Sequence, residues 1–333
     1  LEHLSLSNFK NYEVAQLALS PQVNGFVGLN GMGKTNLLDA IYYLCMTKSY
    51  FLSLDADVVR AGADFFRIEG RFVRQDKMER IVAKMPLKRK KVVERNDVAY
   101  KTLAEHIGLL PVVMFTPDDT LLAKEGSEER RRFMDTVLCQ IDRAYLSDLA
   151  LYNKILLQRN ALLKKWADTE GGALSEMADV LEVYDVQMVP LATRIYAKRR
   201  DFIAELSPVF NAFYAQMSGF EEGVNLVYAS PLHEKNMADW LLKNREKDRI
   251  LQRTSAGVHR DDVVFEMHDR SLKRFGSQGQ LKSFVLSLKL AQYALLKNHQ
   301  TVPPILLLDD IFDKLDEKRV ANLLDLLVSQ RFG

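Results

Sequence analysis

The chain has 333 residues, 47% hydrophobic and 27% charged, with 16 Gly, 9 Pro and 2 Cys. That length accommodates roughly two domains, or one large domain carrying an insertion, and the composition excludes a disordered, collagen-like or disulfide-dense chain. With 46 Lys and Arg against 44 Asp and Glu, net +2, any polyanion must be met by a local patch rather than by the overall charge.

The first 28 residues alternate apolar and polar in short runs, Leu4 to Phe9, Val14 to Leu19 and Val23 to Val27 after Pro21, which is strand patterning. A glycine-rich turn follows, and apolar periodicity predicts a helix over Asn36 to Leu44. Residues 65–102 return to short strands (FFRIEGRFV, MERIVAKM, KKVVER, VAYK) with a turn at Asn96-Asp97, the pattern of a small antiparallel sheet. From Asp118 to about Ile250 the chain is helix-periodic and rich in Leu, Ala, Glu, Lys and Arg, with Pro190 expected to kink or divide one long helix. Strand character resumes at VVFEMHD; a helix from Gln280 to Leu296, the apolar strand ILLL and a helix from Lys318 to Ser329 complete the pattern. The expectation is an α/β protein whose main domain, residues 1–117 plus 251–333, is split by a helical insertion over 118–250.

Cys45 and Cys139 sit in apolar helical stretches without Cys or His at metal-ligand spacing, so two free thiols in a reducing compartment are expected. No basic segment followed by an apolar core opens the chain, and no run reaches the ~18 apolar residues of a membrane span. A cytoplasmic protein without a membrane segment is the expectation.

Gly28-Leu29-Asn30-Gly31-Met32-Gly33-Lys34-Thr35 fits G-x-x-x-x-G-K-[ST] and lies between the predicted strand Gly25–Val27 and a helix that begins near Asn36. Glycines let the backbone wrap a polyphosphate, and the following helix adds its positive end. Lys34 would reach the β- and γ-phosphates of ATP and the Thr35 hydroxyl would hold Mg²⁺. Pro304-Ile305-Leu306-Leu307-Leu308-Asp309-Asp310 is an apolar strand ending in carboxylates; Asp309 would help hold the Mg²⁺ and Asp310 would polarise the attacking water. The 275 residues between Lys34 and Asp309 are too many for a simple GTPase or a small kinase. Ser277-Gln278-Gly279-Gln280 heads a helix, offering either a second phosphate-binding surface or an ordinary N-cap.

This order of motifs resembles the SMC-like branch of ABC-type ATPases, and more narrowly the RecF family. Asn8-Phe9-Lys10-Asn11-Tyr12 is similar to that family's N-F-R-N-Y start. Thr116-Pro117-Asp118-Asp119, Arg130-Arg131-Arg132-Phe133-Met134-Asp135, Ser255-Ala256-Gly257-Val258-His259-Arg260-Asp261-Asp262 and Phe275-Gly276-Ser277-Gln278-Gly279-Gln280 resemble further family segments across the whole chain. The resemblance implies an ABC-type ATPase head with a small antiparallel sheet lobe and an inserted helical lobe. It also implies a homodimer closed by ATP, with Ser277, Gly279 and Gln280 meeting the nucleotide of the partner protomer and Asp316 at the seam. Lys10 and Asn11 would lie near the nucleotide. The family binds double-stranded DNA, acts at single-strand/double-strand junctions in recombinational repair, and helps RecA load together with RecO and RecR. Val258 stands where the family usually has Pro, and Phe51 where an Arg often follows the first helix.

Lys88 to Lys91, Arg130 to Arg132, Lys164-Lys165 and Lys198 to Arg200 are the basic clusters available for phosphate contacts; each equally suits a solvated face. No motif for sequence-specific readout is present. Two other functions fit the same motifs. One is a nucleotide-gated DNA scaffold whose hydrolysis only times release. The other is a transporter ATPase subunit, which the 243 residues from Lys34 to Ser277 oppose.

Overall fold

The structure is a computed structural model that describes residues 1–167, 174–218, 222–311, 320–322 and 325. The chain forms two compact units, residues 1–119 with 292–333, and residues 120–291. The first unit opens with β1 (His3–Phe9), β2 (Tyr12–Ala18) and α1 (Lys34–Met46), followed by β3 (Phe65–Arg74), β4 (Lys77–Pro86), β5 (Val92–Arg95), β6 (Val98–Ala99) and β7 (Val112–Phe115). The second contains α2 (Leu121–Lys124), α3 (Ser127–Ile141), α4 (Arg143–Ala167), α5 (Leu174–Ser218), β8 (Val224–Ala229), α6 (Met237–Lys243), α7 (Arg245–Leu251), β9 (Asp262–Met267), β10 (Arg270–Ser271) and α8 (Leu272–Phe275). Helix α9 spans Gln278–His299, and β11 (Ile305–Leu308) returns to the first unit.

In the first unit a six-stranded antiparallel sheet runs in the order β2-β1-β3-β4-β5-β6. Asn96 and Asp97 turn the β5–β6 hairpin with φ of 49° and 66°, the left-handed pair that a two-residue hairpin needs. A separate pair, β7 and β11, is parallel, with Val112 opposite Ile305 and Phe115 opposite Leu308. β7 is buried at all four residues, as a strand covered on both faces must be. Every residue of α1 from Leu37 to Met46 is buried, in a core that includes Leu4, Leu6, Phe66, Ile68, Val112 and Leu307. A helix apolar on all sides has no face to give to water, and each such large side chain contributes about 1.5–3 kcal/mol.

The structure differs from the sequence pattern in several places. Residues 23–27 form no strand: Val23 and Val27 are 84% and 94% exposed. Instead Asn24 closes a local turn, its Oδ1 accepting from Ser20 N at 2.7 Å and its Nδ2 donating to Ser20 O at 2.8 Å, a competition with sheet pairing that Asn side chains favour. Within the stretch read as wholly helical, Val224–Ala229 is a strand paired with β9; its alternating VNLVYA pattern carries that signal. Of the two outcomes expected for Pro190, a kink or a division, the division does not occur: α5 runs for 45 residues with Pro190 and Pro208 inside it. Met188, Leu191, Ala192 and Ile195 are buried on either side of Pro190, so packing outweighs the hydrogen bond that the ring removes. By compactness residues 251–291 group with the second unit, where β9 pairs with β8. The predicted helix over 318–329 falls almost wholly outside the described residues.

Candidate nucleotide site

The glycine-rich loop links the Ser20–Asn24 turn to α1, and Gly33 is the N-cap of that helix. Gly31 and Gly33 have φ of 81° and 102°, conformations in which a Cβ would be strained. Gly33 brings no side chain to cap α1 and the first turn holds no acidic residue, so the first N–H groups and the positive helix end are left for an anion. Lys34 follows; its ammonium donates to Gly28 O at 2.9 Å and Leu29 O at 3.3 Å, so the cation lies inside the loop. Asn30 Oδ1 stands 3.5 Å from the same Nζ.

β11 delivers Asp309 to this loop. Asp309 N bonds Phe115 O at 3.0 Å, extending the β7–β11 ladder by one residue. Thr35, one residue into α1, donates its hydroxyl to Asp309 Oδ1 and Oδ2 at 2.9 and 3.0 Å across 274 residues of sequence. Burial raises the Asp309 carboxyl above the ordinary carboxylate range; the Thr35 hydrogen bond opposes this, the neighbouring Asp310 reinforces it, and Lys34 opposes it. Asp310 turns outward with φ 43° and is exposed. A hydroxyl and a carboxylate converging beside a lysine are hard oxygen donors suited to a small divalent cation.

The β1–β2 hairpin lies against the same loop. Lys10 pairs with fully buried Asp39 at 2.6 Å, and Asn36 Nδ2 donates to Asn11 Oδ1 at 2.8 Å. Asp39, which ties the hairpin to α1, was missed in the sequence reading; a lone acid inside the apolar run NLLDAIYYLCM is the signal by which it can be found. Phe51 lies under the Lys10 ammonium at 5.3 Å from ring centre to nitrogen.

In the second unit, Ser277 and Gln280 form a reciprocal cap on α9. Ser277 N donates to Gln280 Oε1 at 2.8 Å, and Gln280 N to Ser277 Oγ at 3.2 Å. The capping role is therefore filled, with Ser277 exposed and Gly279 in the first helical turn. Asp316 lies outside the described residues.

Several basic candidates are neither solvated nor free for phosphate. Arg199 is 2% exposed and ion-pairs with Asp135 at 2.9 Å and Asp261 at 2.7 Å, while donating to Val258 O at 2.6 Å. Arg130 forks onto Asp262 at 2.6 and 2.9 Å, and Arg131 donates to Asp261 O at 2.6 Å. The R-R-R-F-M-D and H-R-D-D segments are thus joined through Arg130, Arg131 and Arg199 by ion pairs and hydrogen bonds. His259 belongs to the same loop: its Nδ1 meets Tyr152 Oη at 2.8 Å and its Nε2 meets Thr254 O at 3.1 Å. Burial pushes it down to about 4, so it is a neutral hydrogen-bonding residue. Lys88, Arg89 and Lys90 remain exposed between β4 and β5, whereas Lys91 pairs with Asp55 at 2.7 Å.

A family model described as the RecF/RecN/SMC N terminal domain matches residues 1–332. The chain is similar to the DNA replication and repair protein RecF of Flavobacterium johnsoniae, 45% identical over the whole chain and 92% of that protein. It is likewise similar to the RecF of Parabacteroides distasonis, 42% identical over the whole chain and 89% of that protein. Among solved structures, the recombination mediator protein RecF with ATP superposes with a TM-score of 0.90 at 29% identity, over 98% of this chain and 88% of that one. The Smc head domain of Pyrococcus furiosus, at 18% identity and TM-score 0.55 over 98% of this chain and 86% of that one, shares the fold. With the P-loop, its carboxylate partner and these likenesses together, the chain has the ABC-type ATPase head fold of the SMC branch and belongs to the RecF family.

Proposed function

We propose that this protein is an ATP-dependent DNA-binding protein of recombinational repair, which binds ATP on the Gly28–Thr35 loop and dimerises when ATP is bound. The observation that carries the reading is the meeting of Thr35 and Asp309, brought within 2.9 Å from opposite ends of the chain beside the Lys34 ammonium. Backbone N–H groups of residues 28–36 receive the phosphates and Lys34 supplies the cation. Thr35 and Asp309 would hold Mg²⁺, which supplies positive charge to the phosphate oxygens when bound. Asp310, exposed beside them, holds and polarises the attacking water. Ser277, Gly279 and Gln280 approach the nucleotide of a second protomer, and Asp316 lies at that seam. A relative described as the recombination mediator protein RecF with ATP in the RecFOR pathway supports ATP as the ligand; RecO and RecR as partners, and RecA loading at single-strand/double-strand junctions as the output, are carried over from the family resemblance. The exposed Lys88, Arg89 and Lys90 are the basic residues best placed to meet duplex DNA without sequence preference. No helix among the described residues is long and apolar enough to cross a membrane.

The test is the solution mass with Mg²⁺ and ATP, with and without duplex DNA, at two salt concentrations. The expected result is a monomer that becomes a dimer only with ATP and then binds duplex, more weakly at high salt. Ser277→Arg should bind ATP and remain monomeric; normal ATP-driven dimerisation of that variant removes the role of Ser277 in the partner's site.

A further inference from the structure

The tip of the β1–β2 hairpin is bonded to the phosphate loop. Asn11 Nδ2 donates to Met32 O at 3.2 Å, and Tyr12 Oη donates to Gly33 O, also at 3.2 Å. The hairpin is itself anchored one turn further along α1, where Lys10 pairs with Asp39, and Asp39 also accepts from Ser49 Oγ and Tyr50 N, both at 2.7 Å. It therefore grips the loop and the helix that follows as one body.

The two accepting carbonyls determine how the loop's amides face. A trans peptide unit is planar, with its C=O and N–H pointing in opposite directions. Met32 O shares a peptide unit with Gly33 N, and Gly33 O with Lys34 N. With both carbonyls turned toward the hairpin, the Gly33 and Lys34 N–H groups face away from it. Gly33 O accepts the first bond of α1 as well, from Leu37 N at 3.1 Å, so Tyr12 occupies its second lone pair. Gly33 lets the hairpin come this close: a Cβ there would lie 2.5 and 2.8 Å from the Asn11 amide atoms and 3.0 Å from the Tyr12 ring. Burial raises the Tyr12 phenol above its ordinary value, so its hydroxyl stays a donor across the working range.

We infer that Asn11 and Tyr12 are positioning residues for nucleotide binding, holding the Met32 and Gly33 carbonyls on the hairpin so that the Gly33 and Lys34 amides are preset to face a phosphate. A preset donor pair binds an anion without first spending ordering entropy. The inference rests on the nucleotide reading given above and adds two residues that touch the loop rather than the ligand.

Tyr12→Phe keeps the ring and removes only the hydroxyl. Asn11→Leu removes the donor to Met32 O without adding a charge beside the loop, together with the acceptor for Asn36. Binding of ADP and of ATP to the full chain is measured by calorimetry, alongside the thermal midpoint of the unliganded protein and the KM and kcat for ATP. Each variant is expected to weaken ADP and ATP by the same factor, about three- to tenfold, the scale of one hydrogen bond. KM rises accordingly while kcat is held, and the unliganded midpoint shifts little. Wild-type affinity in both variants, with Lys34→Ala unable to bind, overturns the positioning role and leaves the nucleotide reading standing. Weakened binding matched by an equal loss of unliganded stability shows a structural tether only and also overturns it. A wild-type chain that binds neither nucleotide removes both.

Discussion

Thr35 and Asp309 are joined by a hydroxyl that reaches both oxygens of one carboxylate, at 2.9 and 3.0 Å, although 274 residues separate them. The contact joins the start of α1 to the end of β11 and makes one oxygen-rich corner out of two residues far apart in the chain. Asp309→Asn keeps the shape and halves the anionic oxygens, so ATP binding in EDTA should change little. The tightening that Mg²⁺ adds should fall by tenfold or more, on the order of 1.4 kcal/mol. Titrations with and without Mg²⁺ measure this directly.

Lys34 donates only to loop oxygens that water can reach. Its removal should leave the fold intact and cost ATP binding at least about a hundredfold, the loss of a charge-assisted contact with a polyphosphate. An unchanged far-ultraviolet spectrum with undetectable calorimetric binding is the expected pair of results for Lys34→Ala.

Asp310 is exposed and outward-turned, so Asp310→Asn should bind ATP normally, hydrolyse it at least about a hundredfold more slowly and accumulate as an ATP-bound dimer. Turnover at the wild-type rate would show that Asp310 is not the base.

Arg199 is enclosed by Asp135, Asp261 and the Val258 carbonyl. Arg199→Ala leaves two carboxylates facing each other without their shared cation, which should cost about 3–5 kcal/mol of unfolding free energy. Charge reversal at exposed Arg89 should leave stability within about 0.5 kcal/mol and weaken DNA binding with a shallower salt dependence. Denaturant melts and gel shifts on the two variants separate a buried structural arginine from a surface one.

His106 and His259 are held neutral by burial, each pushed down to about 4, between Leu44 O and Tyr100 Oη in one case and Thr254 O and Tyr152 Oη in the other. The unfolded chain takes up protons on these rings below about pH 6.5 while the folded protein does not, so their contribution is fully present above that pH. It is lost progressively as pH falls from about 6.5 toward 4, by up to about 3 kcal/mol per ring. The unfolding free energy should drop across that window, and His106→Gln should flatten part of the slope.

The nucleotide loop, the carboxylate strand, the antiparallel hairpins and the long helices were legible in the sequence because each is written in local spacing. Glycines in a phosphate loop, alternation over 65–102 and three- and four-residue apolar steps act within a few residues of one another. The absence of a strand at 23–27 and the continuity of α5 through Pro190 were not legible, and the short alternation at 224–229 was masked by the helical periodicity around it. In those places a side-chain bond from Asn24, a strand partner some 40 residues away and a buried helix face outweighed local propensity.

The sequence by itself determined which groups this protein carries: a P-loop, two acids after an apolar strand, and a serine and glutamine at a helix start. It also implied that Thr35 and Asp309 meet. Tertiary structure alone decided the rest: it set Asn11 and Tyr12 on the loop's carbonyls, and turned Arg130, Arg131 and Arg199 from basic points on helices into partners of Asp135, Asp261 and Asp262. The physical reason is that a hydrogen bond or ion pair depends on separation in space, whereas spacing along a chain reports only the neighbours within a turn or a hairpin.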